Sequence, residues 1–153
     1  MNKDSGYVCN SIFRDVWRTS DGGLSWVMRN NGISSTGVRR LFFLDYNTGF
    51  CGASFTLFKT TNAGDNWVAV NGFSDVISSI FSLDEITGWV GLENSVLSHT
   101  TNGGINWIYQ LPNFSVGSTT DIYFYDNIKG WRGTRLQRII KTTNRRRGMG
   151  FSN

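Results

Sequence analysis

At 153 residues, 39% hydrophobic and 14% aromatic, the chain has the size of one domain and enough apolar material for a packed core, which argues against wholesale disorder. Eighteen glycines, one proline, six tryptophans and eleven phenylalanines suit short twisted strands joined by tight turns, and they give helix little support. The net charge of +4 is unevenly divided: residues 1–128 carry seven Lys/Arg against eleven Asp/Glu, while residues 129–153 carry eight Lys/Arg and no acid.

In chain order, the start Met1-Asn2-Lys3-Asp4-Ser5-Gly6 has no apolar stretch that could serve as a signal peptide, and no later segment approaches membrane-spanning length. Four segments then recur: Arg18-Thr-Ser-Asp-Gly-Gly-Leu-Ser-Trp26, Lys59-Thr-Thr-Asn-Ala-Gly-Asp-Asn-Trp67, His99-Thr-Thr-Asn-Gly-Gly-Ile-Asn-Trp107 and the incomplete Lys141-Thr-Thr-Asn144. Asp21, Asn62, Asn102 and Asn144 are 41, 40 and 42 residues apart. A second marker keeps step with the first: Leu44-Asp45 to Gly49-Phe50, Leu83-Asp84 to Gly88-Trp89, and Tyr125-Asp126 to Gly130-Trp131. Gly6-Tyr7 retains part of it, with Asn2 in the acidic slot, so the chain is expected to begin just after one strand of its first unit.

One unit reads as four short strands, at residues 40–44, 50–53, 57–60 and 67–70, bounded by turn residues. Four antiparallel strands in about 41 residues describe a propeller blade, which buries its faces by stacking on the next blade. The expected fold is all-β, a partial β-propeller of about 3.5 four-stranded antiparallel blades. Its expected boundaries are a partial first blade over 1–39, a second over 40–78, a third over 79–120 and a partial fourth over 121–144, with a basic tail over 145–153 expected to be disordered.

The residue types in the repeats point to turn chemistry. In Thr19, Asp21, Gly23 and Trp26, in Thr60, Asn62, Gly64 and Trp67, and in Thr100, Asn102, Gly104 and Trp107, an Asp or Asn oxygen can accept backbone N–H groups of its own turn. The glycine after it can take the left-handed conformation that a hairpin needs. The closing tryptophan is expected to start the outermost strand and lie against the neighbouring blade, a burial on the order of 2–3 kcal/mol. Phe50, Trp89 and Trp131 share another slot and are expected between blades. Asp45, Gly49, Asp84, Gly88, Asp126 and Gly130 read as structural turn residues, because identical placement in successive repeats speaks against paired catalytic carboxylates.

The Thr-x-Asp/Asn-x-Gly-x-Ser/Asn-Trp segments resemble the Asp-box, or bacterial neuraminidase (BNR), repeat of sialidases, some xyloglucanases and the sortilin propeller. Combined with Leu-Asp-x-x-x-Gly-Trp/Phe, they are similar to the photosystem II stability/assembly factor family, over residues 2–144. That resemblance implies a propeller of about seven blades, usually exported, acting as a binding scaffold. This chain departs from it in having too few units to close a ring and in losing the fourth box after Asn144, where Arg145-Arg146-Arg147 follows. The end reads as a truncation, a reading-frame change or a genuine basic tail. An open arc of blades is expected to self-associate through its edges.

No active site emerges. A sialidase would need an arginine cluster, a Tyr nucleophile with a Glu partner and an acid/base Asp, whereas Glu85 and Glu93 are the only glutamates. His99, the single histidine, occupies the slot of Arg18, Lys59 and Lys141 and is expected to be an exposed polar strand residue. Cys9 and Cys51 read as small apolar fillers of strand positions, with a bridge between blades as the alternative. No metal or cofactor is expected. Arg132, Arg135, Arg138, Lys141 and Arg145 to Arg147 read as a solvated edge or tail in preference to a phosphate or anionic-lipid site, and nucleic acid is not expected as a partner. The expected role is a non-catalytic interaction module for a protein or polysaccharide, contacted through the variable stretches 30–39, 71–78 and 112–120. The alternative is a fragment of an Asp-box glycoside hydrolase of the sialidase or xyloglucanase type. The compartment stays open, since the family is usually exported and this chain shows no signal peptide.

Overall fold

The computed structural model describes residues 3–110 and 117–142. Among these, every regular element is a strand, and the strands form four antiparallel sheets. The chain divides into two compact units, Met1–Ser74 and Asp75–Asn153. The expectation of an all-β chain built from repeated antiparallel sheets is met. The segment 112–116, the fourth box beyond Thr142 and the basic tail lie outside the described residues.

The first unit holds β1 (Gly6–Cys9), β2 (Val16–Thr19) and β3 (Val27–Met28) in one sheet, and β4 (Val38–Phe43), β5 (Gly49–Ala53), β6 (Thr56–Thr60) and β7 (Val68–Gly72) in the next. The second unit repeats the plan with β8 (Ile77–Ser82), β9 (Gly88–Leu92), β10 (Leu97–Thr100) and β11 (Ile108–Gln110), followed by β12 (Thr119–Phe124), β13 (Gly130–Thr134) and β14 (Ile139–Thr142). Each sheet is a simple meander of sequence neighbours, which short turns impose. β5 and β9 are buried along their whole length, so both faces of the sheet are covered there. β7 and β11 are mostly exposed, and each is an edge strand of its own sheet.

The first strands of three sheets share a feature that the sequence did not announce. Register slips between Val38 and Arg40, between Ile77 and Ser79, and between Thr119 and Asp121, so each strand carries one extra residue in a β-bulge. The residues at the bulge, Arg39, Ser78 and Thr120, have no chemistry in common, which leaves no pattern to read.

Within each unit, neighbouring sheets meet at a stacked aromatic pair. Tyr7 of β1 lies on Phe43 of β4 with ring centroids 3.6 Å apart and planes at 11°. Trp89 of β9 lies on Phe124 of β12 at 3.6 Å and 8°. Both phenylalanines stand opposite a glycine in their own sheet, Phe43 across from Gly49 and Phe124 across from Gly130. A Cβ at Gly49 would come within 2.5 Å of Phe43 Cδ1, and one at Gly130 would likewise collide with the Phe124 ring. The glycine therefore lets the ring lie flat on the sheet and offer its other face to the neighbour. In the third sheet Ser82 faces Gly88 instead, and its hydroxyl donates to the carbonyls of Asp84 and Thr87.

Candidate functional site

The recurrent turns are closed by their own side chains. Thr19 Oγ1 donates to Asp21 Oδ1 (2.7 Å) and accepts the N–H of Gly23 (2.9 Å), while Asp21 Oδ1 also accepts the N–H of Ser25 (2.9 Å). Thr60, Asn62, Gly64 and Asn66 repeat this set at 3.0 Å throughout, and Thr100, Asn102, Gly104 and Asn106 repeat it at 2.9–3.0 Å. One side-chain oxygen suffices, so Asn and Asp serve equally. The carboxylate's second oxygen in the first turn takes the Ser25 hydroxyl, where the other turns have asparagine pairs. Hydrogen bonds from Ser25, and then from Thr19, hold the Asp21 carboxyl down to about 2.

The chain turns left-handed twice after the acidic position. Gly22 and Gly23, Ala63 and Gly64, and Gly103 and Gly104 all have positive φ. Ala63 tolerates the first of these positions at φ 58°.

The second marker is joined to the first by the backbone. Asp45 Oδ1 accepts the N–H groups of Asn47 and Thr48, Asp84 Oδ1 those of Ile86 and Thr87, and Asp126 Oδ1 those of Ile128 and Lys129, at 2.6–2.9 Å. These bonds, led by the N–H of Thr48 and of Lys129, lower the pKa of Asp45 and Asp126. The middle residue of the marker then accepts from the Thr/Asp turn: Ala63 N–H donates to Asn47 O and Gly103 N–H to Ile86 O, both at 2.9 Å. In the first sheet Gly22 N–H donates to Asp4 O at 2.8 Å. The two sequence landmarks of a unit are thus one hydrogen-bonded structure at one end of its sheet.

The closing tryptophans behave differently from one another, and each precedes the outer strand by one residue instead of starting it. Trp67 is buried; its indole Nε1 donates to Arg29 O (2.8 Å), its backbone N–H donates to Asn31 O (2.9 Å), and its ring meets Phe43 edge-on at 5.9 Å. Trp107 folds its indole N–H back to Gly104 O at 3.0 Å. Trp26, expected to be covered by a neighbouring blade, is 40% exposed. Burial of this ring depends on what lies over the turn, and no segment among the described residues does for Trp26 what residues 29–33 do for Trp67.

Three further expectations need correction. His99 is buried and tilted against the Trp89 ring at 4.8 Å, because β10 is covered on both faces. Arg132, read as part of a solvated basic edge, is 1% exposed; its Nη1 donates to Ser95 O (2.8 Å), its Nη2 donates to Gly117 O (3.3 Å), and burial lowers its pKa to about 10. Stretch 30–39, read as a variable contact loop, buries Ile33 and Val38 and docks Asn31 and Gly32 on Trp67. Asn31, Gly32, Ser34, Thr36 and Arg39 within it remain exposed.

Cys9 and Cys51 are both free thiols whose pKa burial raises, Cys51 the more deeply buried. Among the described residues no three His, Cys, Asp or Glu side chains gather as a metal site. The carboxylates at the recurrent turns accept backbone N–H groups of their own turns.

No family model matches the chain, and no curated protein matches it in sequence. Solved structures do. A structure of YCF48 bound to a D1 peptide is 25% identical over 78% of this chain and 40% of its own, with a TM-score of 0.66. YCF48 from Cyanidioschyzon merolae matches with 14% identity over 97% of this chain and 53% of its own, TM-score 0.74. The GH74 xyloglucanase from Xanthomonas campestris matches with 9% identity over 97% and 28%, TM-score 0.72. The chain has the fold of a stretch of β-propeller blades. It spans about half or less of the length of these three proteins.

Proposed function

We propose that the chain is a non-catalytic β-propeller scaffold, similar to the photosystem II assembly factor-like proteins, whose recurrent turns are Asp-boxes and whose role is to bind a protein partner. The observation that carries this reading is the 25% identity, over 78% of the chain, to YCF48 with its bound D1 peptide. The state of the carboxylates supports it: Asp45, Asp84 and Asp126 each accept two backbone N–H groups within their own turn, and none is left as half of a catalytic pair. A fragment of a glycoside hydrolase is the second reading, favoured by the 0.72 TM-score to the xyloglucanase, although identity there is 9%.

The two readings part in a direct experiment. The purified chain is titrated by calorimetry with a panel of synthetic peptides, and incubated with xyloglucan while reducing sugar is measured. Saturable peptide binding without sugar release is the expected outcome. Turnover of xyloglucan would overturn the scaffold reading.

A further inference from the structure

We propose that Cys9 and Cys51 are a reversible redox pair, forming one disulfide that joins the first two sheets of the folded chain when a peroxide oxidises them. The pair is independent of the protein-binding reading above.

The spacing of the two residues sets their directions. Gly6 pairs with Thr19 and Gly49 with Thr60, so these glycines open equivalent strands 43 residues apart. Cys9 and Cys51 are 42 residues apart, one short of that interval, and the counterpart of Cys9 on β5 is Gly52. Successive side chains of a strand point to opposite faces. Cys9 and Cys51 therefore stand on opposite faces of their own sheets, so each is turned toward the sheet of the other. They meet in one cluster: Cys51 is fully buried with Val38, Ala53 and Phe58, and Cys9 packs against it beside Leu41 and Phe43.

The heights agree as well. Tyr7 lies on Phe43 at 3.6 Å, and Phe43 stands across from Gly49. Two residues along β1 on the face of Tyr7 is Cys9, and two residues back along β4 on the face of Phe43 is Leu41, whose partner in β5 is Cys51. The stacked rings thus bring Cys9 to the level of Cys51. Gly91 and Arg132 hold the two equivalent places between the third and fourth sheets, so the repeat itself does not demand thiols there.

The environment gives the two sulfurs different parts. Burial pushes both thiols up, Cys51 further because Cys9 stands beside it, while the Arg40 guanidinium opposes the rise at Cys9. Cys9 is accordingly the attacking group. Its thiolate attacks one oxygen of hydrogen peroxide, the O–O bond breaks, and Cys9 becomes a sulfenic acid; the hydroxide that leaves recombines with the proton Cys9 released. The Cys51 sulfur then attacks the Cys9 sulfur. An S–S bond forms, the S–O bond breaks, and the departing oxygen takes the Cys51 proton as water. Two thiols are oxidised to one disulfide, and one peroxide is reduced to two waters.

In the test the full chain, dilute and under native conditions, is treated with hydrogen peroxide, quenched with catalase, denatured, alkylated and mapped by mass spectrometry. The expected product is a monomer with no thiol left to alkylate, a peptide containing Cys9 joined to one containing Cys51, and both thiols recovered with dithiothreitol. The guanidinium midpoint should rise by about 0.5–1 M over that of the reduced chain, the scale for a cross-link closing a loop of this length. Cys9→Ala and Cys51→Val, the latter supplying the residue type that Val90 has in the same slot of the third sheet, should show no peroxide-dependent shift of midpoint. The mapped link is read in the unaltered chain, so the test holds even if either variant is unstable. Two thiols that survive peroxide, sulfinic acids on separate cysteines, a cross-link found only between chains, or a bond that forms only in guanidinium would each overturn the pair.

Discussion

Replacing Gly49 with alanine should separate the two sheets of the first unit. The new methyl carbon would stand 2.5, 2.6 and 2.8 Å from Cδ1, Cε1 and Cγ of Phe43, against an ordinary contact of about 3.4–4 Å. The ring has nowhere to retreat, because Tyr7 stacks on its other face at 3.6 Å and is itself held by hydrogen bonds from its hydroxyl to Tyr46 O (3.0 Å) and Ala63 O (3.2 Å). Overpacking of this kind costs about 1–3 kcal/mol, and loss of the stacked pair about 0.5–1.5 kcal/mol more. Against this, alanine narrows the unfolded ensemble and returns about 0.4–1 kcal/mol. The net destabilisation is therefore about 0.5–4 kcal/mol, centred near about 2 kcal/mol.

Guanidinium denaturation followed by tryptophan fluorescence measures it, with two comparisons. Gly72→Ala has open space at the Cβ and should be neutral or slightly stabilising. In a Phe43→Ala background, itself costing about 3–5 kcal/mol, Gly49→Ala should lose its penalty, since the colliding ring is gone. An equal penalty with and without Phe43, or a Gly49→Ala as mild as Gly72→Ala, would refute the account of the glycine as the seat of the ring.

Thr60→Val keeps the shape of a side chain that is 1% exposed but deletes the acceptor of the Gly64 N–H and the donor to Asn62. It should cost about 1–3 kcal/mol in chemical denaturation, while Thr60→Ser costs less than half of that. The Asp21 carboxyl sits at about 2 in the folded chain against an ordinary 3.8, so its contribution to stability is present above about pH 4 and fades as pH falls toward 2. Titration of its carboxyl carbon by NMR should give that midpoint, and Asp21→Asn should flatten this part of the pH dependence; a midpoint near 4 would contradict the hydrogen-bonded turn. Burial raises the pKa of both thiols, so a disulfide reagent at pH 8 should label Cys51 only after unfolding and Cys9 slowly, and two fast equivalents would disprove their packing.

The repeat period was legible because its signals are local. Asp45, Asn62 and their counterparts close a few residues of backbone with their own oxygens, so the residue type at a fixed offset is enough to mark the turn. What lay beyond the sequence depends on the facing sheet. Nothing in the slot of His99 or Arg132 tells that β10 and β13 are covered there, and Arg132 stands where Cys51 and Val90 stand in sister sheets. The stacked pairs were half readable: Trp89 was placed between sheets, but its partner Phe124 is recognised only through Gly130 across the strand pair. The bulges at Arg39, Ser78 and Thr120 had no residue signature at all.

On the proposed scaffold reading, the same division separates architecture from recognition. Residues that recur at every turn, Thr19, Thr60 and Thr100 with their acidic or amide partners, hold the turn itself and are bonded within it. Residues that change at equivalent positions, Leu24 for Asp65 and Ile105, stand at the mouths of the turns, where Asp65 pairs with Arg18 and Arg29 and the other two are largely exposed. At the Trp67 turn Asp65 pairs with Arg29 of the segment that crosses it, and a Leu or Ile at that position would leave such a guanidinium without a partner. On the proposed scaffold reading, selectivity changes one turn at a time without disturbing the fold, since the side chain that chooses the neighbour makes none of the bonds that close the turn.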